Sequence, residues 1–183
     1  GFFSVDENTV CTWNTNNEVN GIGRQATAAA HSCLAYNSTD SAGTISSMFD
    51  ADNLPIILMK VKPSRVSATD DIFVGLGNVV AGQAASPSEG IFFTNDNGTE
   101  WKGGTKTSGS AAQEVSCGVT VSTTTYSMLK IEVRSTTDVR FYVDGDNSTG
   151  GVNYKYCGKV TTGIPTEALS AMMMMATTNA AGM

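Results

Sequence analysis

The clearest pattern along the chain is alternation. In Tyr126 to Arg134, Leu129, Ile131 and Val133 face one way while Lys130, Glu132 and Arg134 face the other. Val139, Phe141 and Val143 then alternate with Arg140, Tyr142 and Asp144. A period of two is that of a strand with one wet face, and the linker Ser135 to Asp138 is short enough for a hairpin. Upstream, Ile57, Met59 and Val61 alternate with Leu58, Lys60 and Lys62 between Pro55 and Pro63. Asp71 to Leu76 is the next strand, with Ile72, Val74 and Leu76 on one face, and Ser64 to Asp70 as turn predicts a hairpin of these two. After a connection from Ala81 to Gly90, Ile91 to Thr94 and Thr99 to Lys102 flank Asn95-Asp96-Asn97-Gly98, whose Asn-Gly step suits a second hairpin.

Gly103 to Ala112 reads as a glycine, serine and threonine loop. Glu114 to Val121, Tyr154 to Val160 and the continuous apolar run Leu169 to Ala176 supply further strands, with a corner at Ile164-Pro165. Residues 1–50 are the least regular: short apolar patches at Phe2-Phe3, Val10 to Trp13 and Cys33 to Tyr36 imply poorly bounded strands, and residues 1–10 an N-terminal arm. Gln25 to His31, with four alanines, suits a helical turn or a strand or loop. About ten short strands without an amphipathic helix leave two packed antiparallel sheets or a closed barrel, in a single domain spanning 1–183. No repeat suggests a propeller or solenoid.

Composition narrows the function classes. Charged residues are 15% of the chain and the net charge is −6, so the electrostatic drive for nucleic acid is missing. No apolar run reaches the roughly 20 residues of a membrane-spanning helix. The start at Gly1 leaves open a removed signal or pro-segment, a tag remnant or unresolved ends. A lone histidine, His31, with no Gly-x-Ser-x-Gly elbow argues against a catalytic triad, and one histidine against a zinc hydrolase. No Glu-x-Asp-x-Glu strand offers the paired carboxylates of a glycosidase. The expectation is a protein that is not an enzyme and needs no cofactor.

The candidate chemistry is that of binding. Trp101 beside Asn95, Asp96 and Asn97 has the makings of a sugar platform, ring for stacking and amides for hydroxyls; placement of Trp101 in the core is the alternative. Asp50 with Asp52, and Asp144 with Asp146, close turns through their side chains. Calcium is their second reading, with Asn147 and Ser148 adding oxygens, but no dedicated loop supplies its ligands. Cys11, Cys33, Cys117 and Cys157 contain no C-x-x-C pair, so disulfides are the sharper reading against buried free thiols. Of the pairings open, Cys11 with Cys33 and Cys117 with Cys157 keep partners within one half of the chain. Sequons at Asn37, Asn97 and Asn147 are explained by the Asn- and Thr-rich composition. Met172, Met173, Met174 and Met175, adjacent on both faces of one strand, need cover on both sides and hint at assembly.

The succession Thr125 to Val133, Val139 to Gly145 and Gly163-Ile164-Pro165-Thr166 to Leu169 resembles concanavalin A-like jelly-roll domains, in particular those of tailed-phage structural proteins. Ile57 to Ser64 followed by Asp71 to Gly77 is similar to that family's earlier strand pair, and the likeness covers residues 54–176. It implies an all-β, two-sheet antiparallel jelly-roll β-sandwich, used by relatives as lectins, glycan hydrolases or virion decorations, with function separable from fold. Members usually end on one more strand after the position of Leu169 to Ala176, whereas this chain stops at Met183. Either that strand lies beyond or another segment fills its place, and an open edge invites strand addition, with Phe2-Phe3-Ser4-Val5 as a donor. Three functions follow as expectations: a virion-surface structural protein (capsid decoration, fibre or spike), a secreted or surface lectin, or an extracellular filament subunit. The expected partners are copies of itself, virion capsid or tail proteins, and surface glycans.

Overall fold

The computed structural model describes residues 3–5, 12–14, 24–26, 32–36, 51–63, 66, 70–78, 87–95, 99–145 and 151–177. Its strands are Phe3–Val5 (β1), Thr12–Asn14 (β2), Arg24–Ala26 (β3), Ser32–Tyr36 (β4), Ile56–Val61 (β5), Asp70–Asn78 (β6) and Glu89–Thr94 (β7). They continue with Glu100–Lys106 (β8), Gln113–Thr120 (β9), Ser127–Ser135 (β10), Asp138–Asp144 (β11), Lys155–Val160 (β12) and Ser170–Thr177 (β13). A single 3-10 turn, Ala51–Asn53, is the helical element among the described residues, so none there is long enough to cross a membrane.

One sheet runs β1-β4-β13-β6-β7-β8-β9, a second runs β12-β11-β10-β5, and β2 with β3 forms a separate ribbon. Every pairing is antiparallel. Of the two architectures the strand pattern left open, two packed sheets rather than a closed barrel are observed, the β-sandwich that the resemblance implies. Its core lies between the two large sheets: Ile72, Val74, Leu76, Ile91, Phe93 and Trp101 on one side meet Leu129, Ile131, Val133, Val139, Phe141 and Val143 on the other. Phe93 packs edge-on against both Trp101 and Phe141, a favoured geometry for aromatic pairs.

The hairpin over Ser135 to Asp138 is present, with Leu129 opposite Val143 and Ile131 opposite Phe141. So is the hairpin joining β7 and β8. The predicted hairpin of 57–62 with 71–76 is not: β5 pairs with β10 and β6 with β7 and β13, so the two strands belong to opposite sheets. Alternation marks a strand's wet face but carries no information about its neighbour. The loop expected from Gly103 is also corrected, because β8 continues through Gly103, Gly104, Thr105 and Lys106. Glycine here admits an aromatic ring: a Cβ on Gly103 would lie 2.1 Å from Phe141 Cγ.

The place beside β13 is filled from within the chain. β13 pairs with β6 on one edge and β4 on the other, and β1 pairs with β4, Phe3 opposite Tyr36. Phe3 to Val5 is therefore used intramolecularly rather than held out as a donor strand. Of Gln25 to His31, Gln25 and Ala26 are in β3; the remainder, His31 included, lies outside the described residues.

Candidate functional site

Strand alternation that buries Leu129, Ile131 and Phe141 pushes the intervening side chains of β5, β10, β11 and β12 onto one outer face. A cross-strand row there runs Leu58, Lys130, Tyr142, Tyr156, and a second places Ile56, Glu132, Arg140 and Lys159 side by side. Glu132 is the centre of the polar network. It pairs with Lys130, receives Arg134 Nε at 3.1 Å and Nη2 at 2.9 Å on one oxygen, and accepts the Tyr142 hydroxyl at 3.1 Å.

The hydrogen bond from Lys130, joined by those from Arg134 and Tyr142, outweighs the opposing effect of burial and holds the Glu132 carboxyl at about 2. The same bond raises the Lys130 ammonium above its ordinary value. Beside it, Arg140 grips Asp138 with two bonds of 3.0 and 2.9 Å and lowers that carboxyl too. A carboxylate this firmly ionised is an anchor rather than a proton donor near neutral pH.

Around this network stand aromatic rings under cations. Lys130 Nζ lies 4.9 Å from the centre of the Tyr142 ring and 5.7 Å from that of Tyr154, while Lys60 and Lys62 lie 4.6 and 4.9 Å from that of Tyr126. The Tyr142 and Tyr156 rings are 5.2 Å apart, and Tyr156 is exposed. Burial raises the Tyr154 phenol.

At the β5 side the same face turns apolar. Leu54, Ile56 and Leu58 are 48%, 64% and 62% exposed, three of the large hydrophobic side chains that stand in solvent. Leu54 and Ile56, with Glu132, Val133 and Arg134, line a shallow hollow of about 300 Å³. Leu54 holds a left-handed φ of 50°, where its amide caps the 3-10 turn by bonding to the Ala51 carbonyl at 3.0 Å. A leucine in that conformation is costly, and its side chain is about half exposed.

The residues singled out in the sequence have other places. Trp101 is fully buried, its Nε1 donating to Ser127 Oγ at 3.0 Å, so no ring face is available to a sugar. Asn95 is buried as well, its Oδ1 accepting the Ile72 amide at 2.8 Å; Asp96 and Asn97 lie outside the described residues. The sugar edge built on Trp101 is thereby corrected, because the strand phase of β8 points its tryptophan at the core. Cys117 and Cys157 form a disulfide. Cys11 and the side chain of Cys33 lie outside the described residues, as do Asn37, Asn97, Asn147 and the side chains of Met172, Met173, Met174 and Met175. Both backbone edges of that methionine run are occupied within the chain, which closes it to strand addition.

Asp144 accepts the Asn153 amide at 2.8 Å, as a turn-closing carboxylate does, while Asp50, Asp146, Asn147 and Ser148 fall outside the described residues. Among the described residues no three His, Cys, Asp or Glu side chains converge as a metal site. Sequence reasoning passed over Leu54, Ile56 and Leu58. Their signal was present, since apolar residues stand on the wet face as well as the core face of β5.

Comparison with known proteins adds a family and a fold. A model of the family described as "SO2946-like, C-terminal domain" matches residues 23–183. The crystal structure of a protein of unknown function, SO2946 from Shewanella oneidensis MR-1, is similar with a TM-score of 0.65 at 16% identity, over 99% of this chain and 71% of that one. No curated protein matches the sequence.

Proposed function

The chain belongs to the SO2946-like, C-terminal domain family, and from that premise we propose that it is a non-enzymatic building block that works through protein–protein contacts. The observation that carries this is the lip of Ile56 and Leu58 on β5, an end strand among the described residues, with Leu54 just before it. Contiguous exposed aliphatics on an edge strand are an aggregation hazard unless a partner covers them. The likeness of the β10–β11 stretch to tailed-phage structural domains favours a virion surface, as capsid decoration, fibre or spike, over an extracellular filament. Expression with the particles it decorates tests this: co-sedimentation with them is expected, and Ile56→Lys should release the chain into the soluble fraction while it still folds and unfolds cooperatively. Recovery of the unaltered chain only as free protein overturns it.

Glycan binding is a second reading with its own support, moved from Trp101 to the outer face. Tyr156 and Tyr142 offer adjacent rings, bordered by Lys130, Arg140 and Lys159, in an otherwise acidic chain. Glycan titration followed by tyrosine fluorescence tests it, with loss of signal expected in Tyr156→Ala. A glycan array without hits removes this reading.

A further inference from the structure

The two lateral sides of the sandwich are built differently. On one side β9 and β12, the end strands of their sheets, are tied by the Cys117–Cys157 disulfide. On the other, the four-stranded sheet ends at β5, and no strand among the described residues pairs with its far edge. Burial falls off towards that edge along one core row. Phe141 and Val143 on β11 and Ile131 and Leu129 on β10 are fully buried, but Ile57 and Met59, paired with Ile131 and Leu129, are only partly covered. On the outer face Ile56 and Leu58 are more exposed still. Edge strands of monomers are usually blunted by charge, bulge or cover. This strand carries one lysine and pairs with β10 without a register shift.

We infer that the occupant of this edge is a second copy of the chain, its β5 pairing antiparallel with the first about a two-fold axis through Leu58. The proposal rests on the assembly reading above and names its partner. Opposed residues of an antiparallel pair share a face, so a two-fold axis normal to the sheet passes through a residue position. Centring on Leu58 sets Leu58 against its copy, Ile56 against Lys60, and Ile57 against Met59, with no like charges opposed. It leaves the two Lys60 side chains about 13 Å apart along the strands. Centring on Met59 brings those ammonium groups to neighbouring diagonal positions. Centring on Lys60 opposes the lysines directly.

Charge supports the same register. Ile56 is paired in the sheet with Glu132, so the Lys60 that faces Ile56 from the second copy arrives beside the hollow bounded by Glu132, Leu54 and Ile56. Two four-stranded sheets then become one of eight strands, and both the outer aliphatics and the thinning core row gain cover.

Cysteine cross-linking of the full chain tests the register. Under mild oxidation Leu58→Cys is expected to give a covalent dimer in most of the protein, and an equal mixture of Ile56→Cys and Lys60→Cys a mixed dimer. Neither of the latter alone should exceed the wild-type background. Leu58→Lys, at an exposed position, should still unfold cooperatively, with the midpoint that the wild type has at high dilution, while sedimentation shows the mass halved. Cross-linking of Leu58→Cys no greater than background, or a wild-type chain that sediments as a monomer, overturns the pairing. A monomer that still co-sediments with particles overturns the pairing and leaves the assembly reading standing.

Discussion

Glu132 shows how a single residue takes its character from its neighbours. It sits on the wet side of β10, yet a lysine, an arginine and a tyrosine hydroxyl close over it. Because its folded pKa is depressed to about 2 from 4.5, its contribution to stability is complete above pH 4.5 and is lost as pH falls through 2. Glu132→Gln should lower stability by about 1–3 kcal/mol at neutral pH. Denaturant midpoints measured across this window should fall less steeply for the variant than for wild type. Gly103 makes the complementary point about space: Gly103→Ala drives a methyl into the Phe141 ring and should cost about 1–3 kcal/mol in urea unfolding. Trp101→Phe removes the bond to Ser127 and part of the core, an expected loss of about 2–4 kcal/mol by the same measurement.

Among elements, the join between β9 and β12 depends on a repeated Cys-Gly step, Cys117-Gly118 and Cys157-Gly158. Gly118 has a φ of +57°, which a side-chain-bearing residue adopts only at a cost, and a Cβ on Gly158 would meet Val115 Cβ at 3.3 Å. The disulfide closes a loop of sequence separation 40, which chain entropy values at about 4 kcal/mol. Replacing both cysteines by alanine should lower the unfolding free energy by roughly that amount, and reductant should then have no further effect through this bridge. The strands themselves were legible where their faces differ: β10 and β11 follow from the alternation of Leu129, Ile131 and Val133 and of Val139, Phe141 and Val143. β8 was cut short because Gly103 and Gly104 look like a turn until an aromatic ring is seen to occupy the space they leave.

At the scale of the whole molecule, a sandwich stapled on one side, and on the other ending at a β5 edge that no described strand pairs, should have a stability coupled to association. If β5 pairs with its copy, the wild-type thermal midpoint rises with protein concentration, and that of Leu58→Lys does not. Calorimetry over a wide concentration range distinguishes the two. By itself the sequence determined the all-β class, most strand positions and which side chains face the core, because a period of two is a local property of the extended backbone. Tertiary structure alone decided that β5 and β6 belong to opposite sheets, that β4 and β1 complete the sheet beside β13, and that Trp101 lies inside. Those outcomes depend on which strand lies next to which. Contacts between residues distant in the chain set that order, and local periodicity carries no record of it.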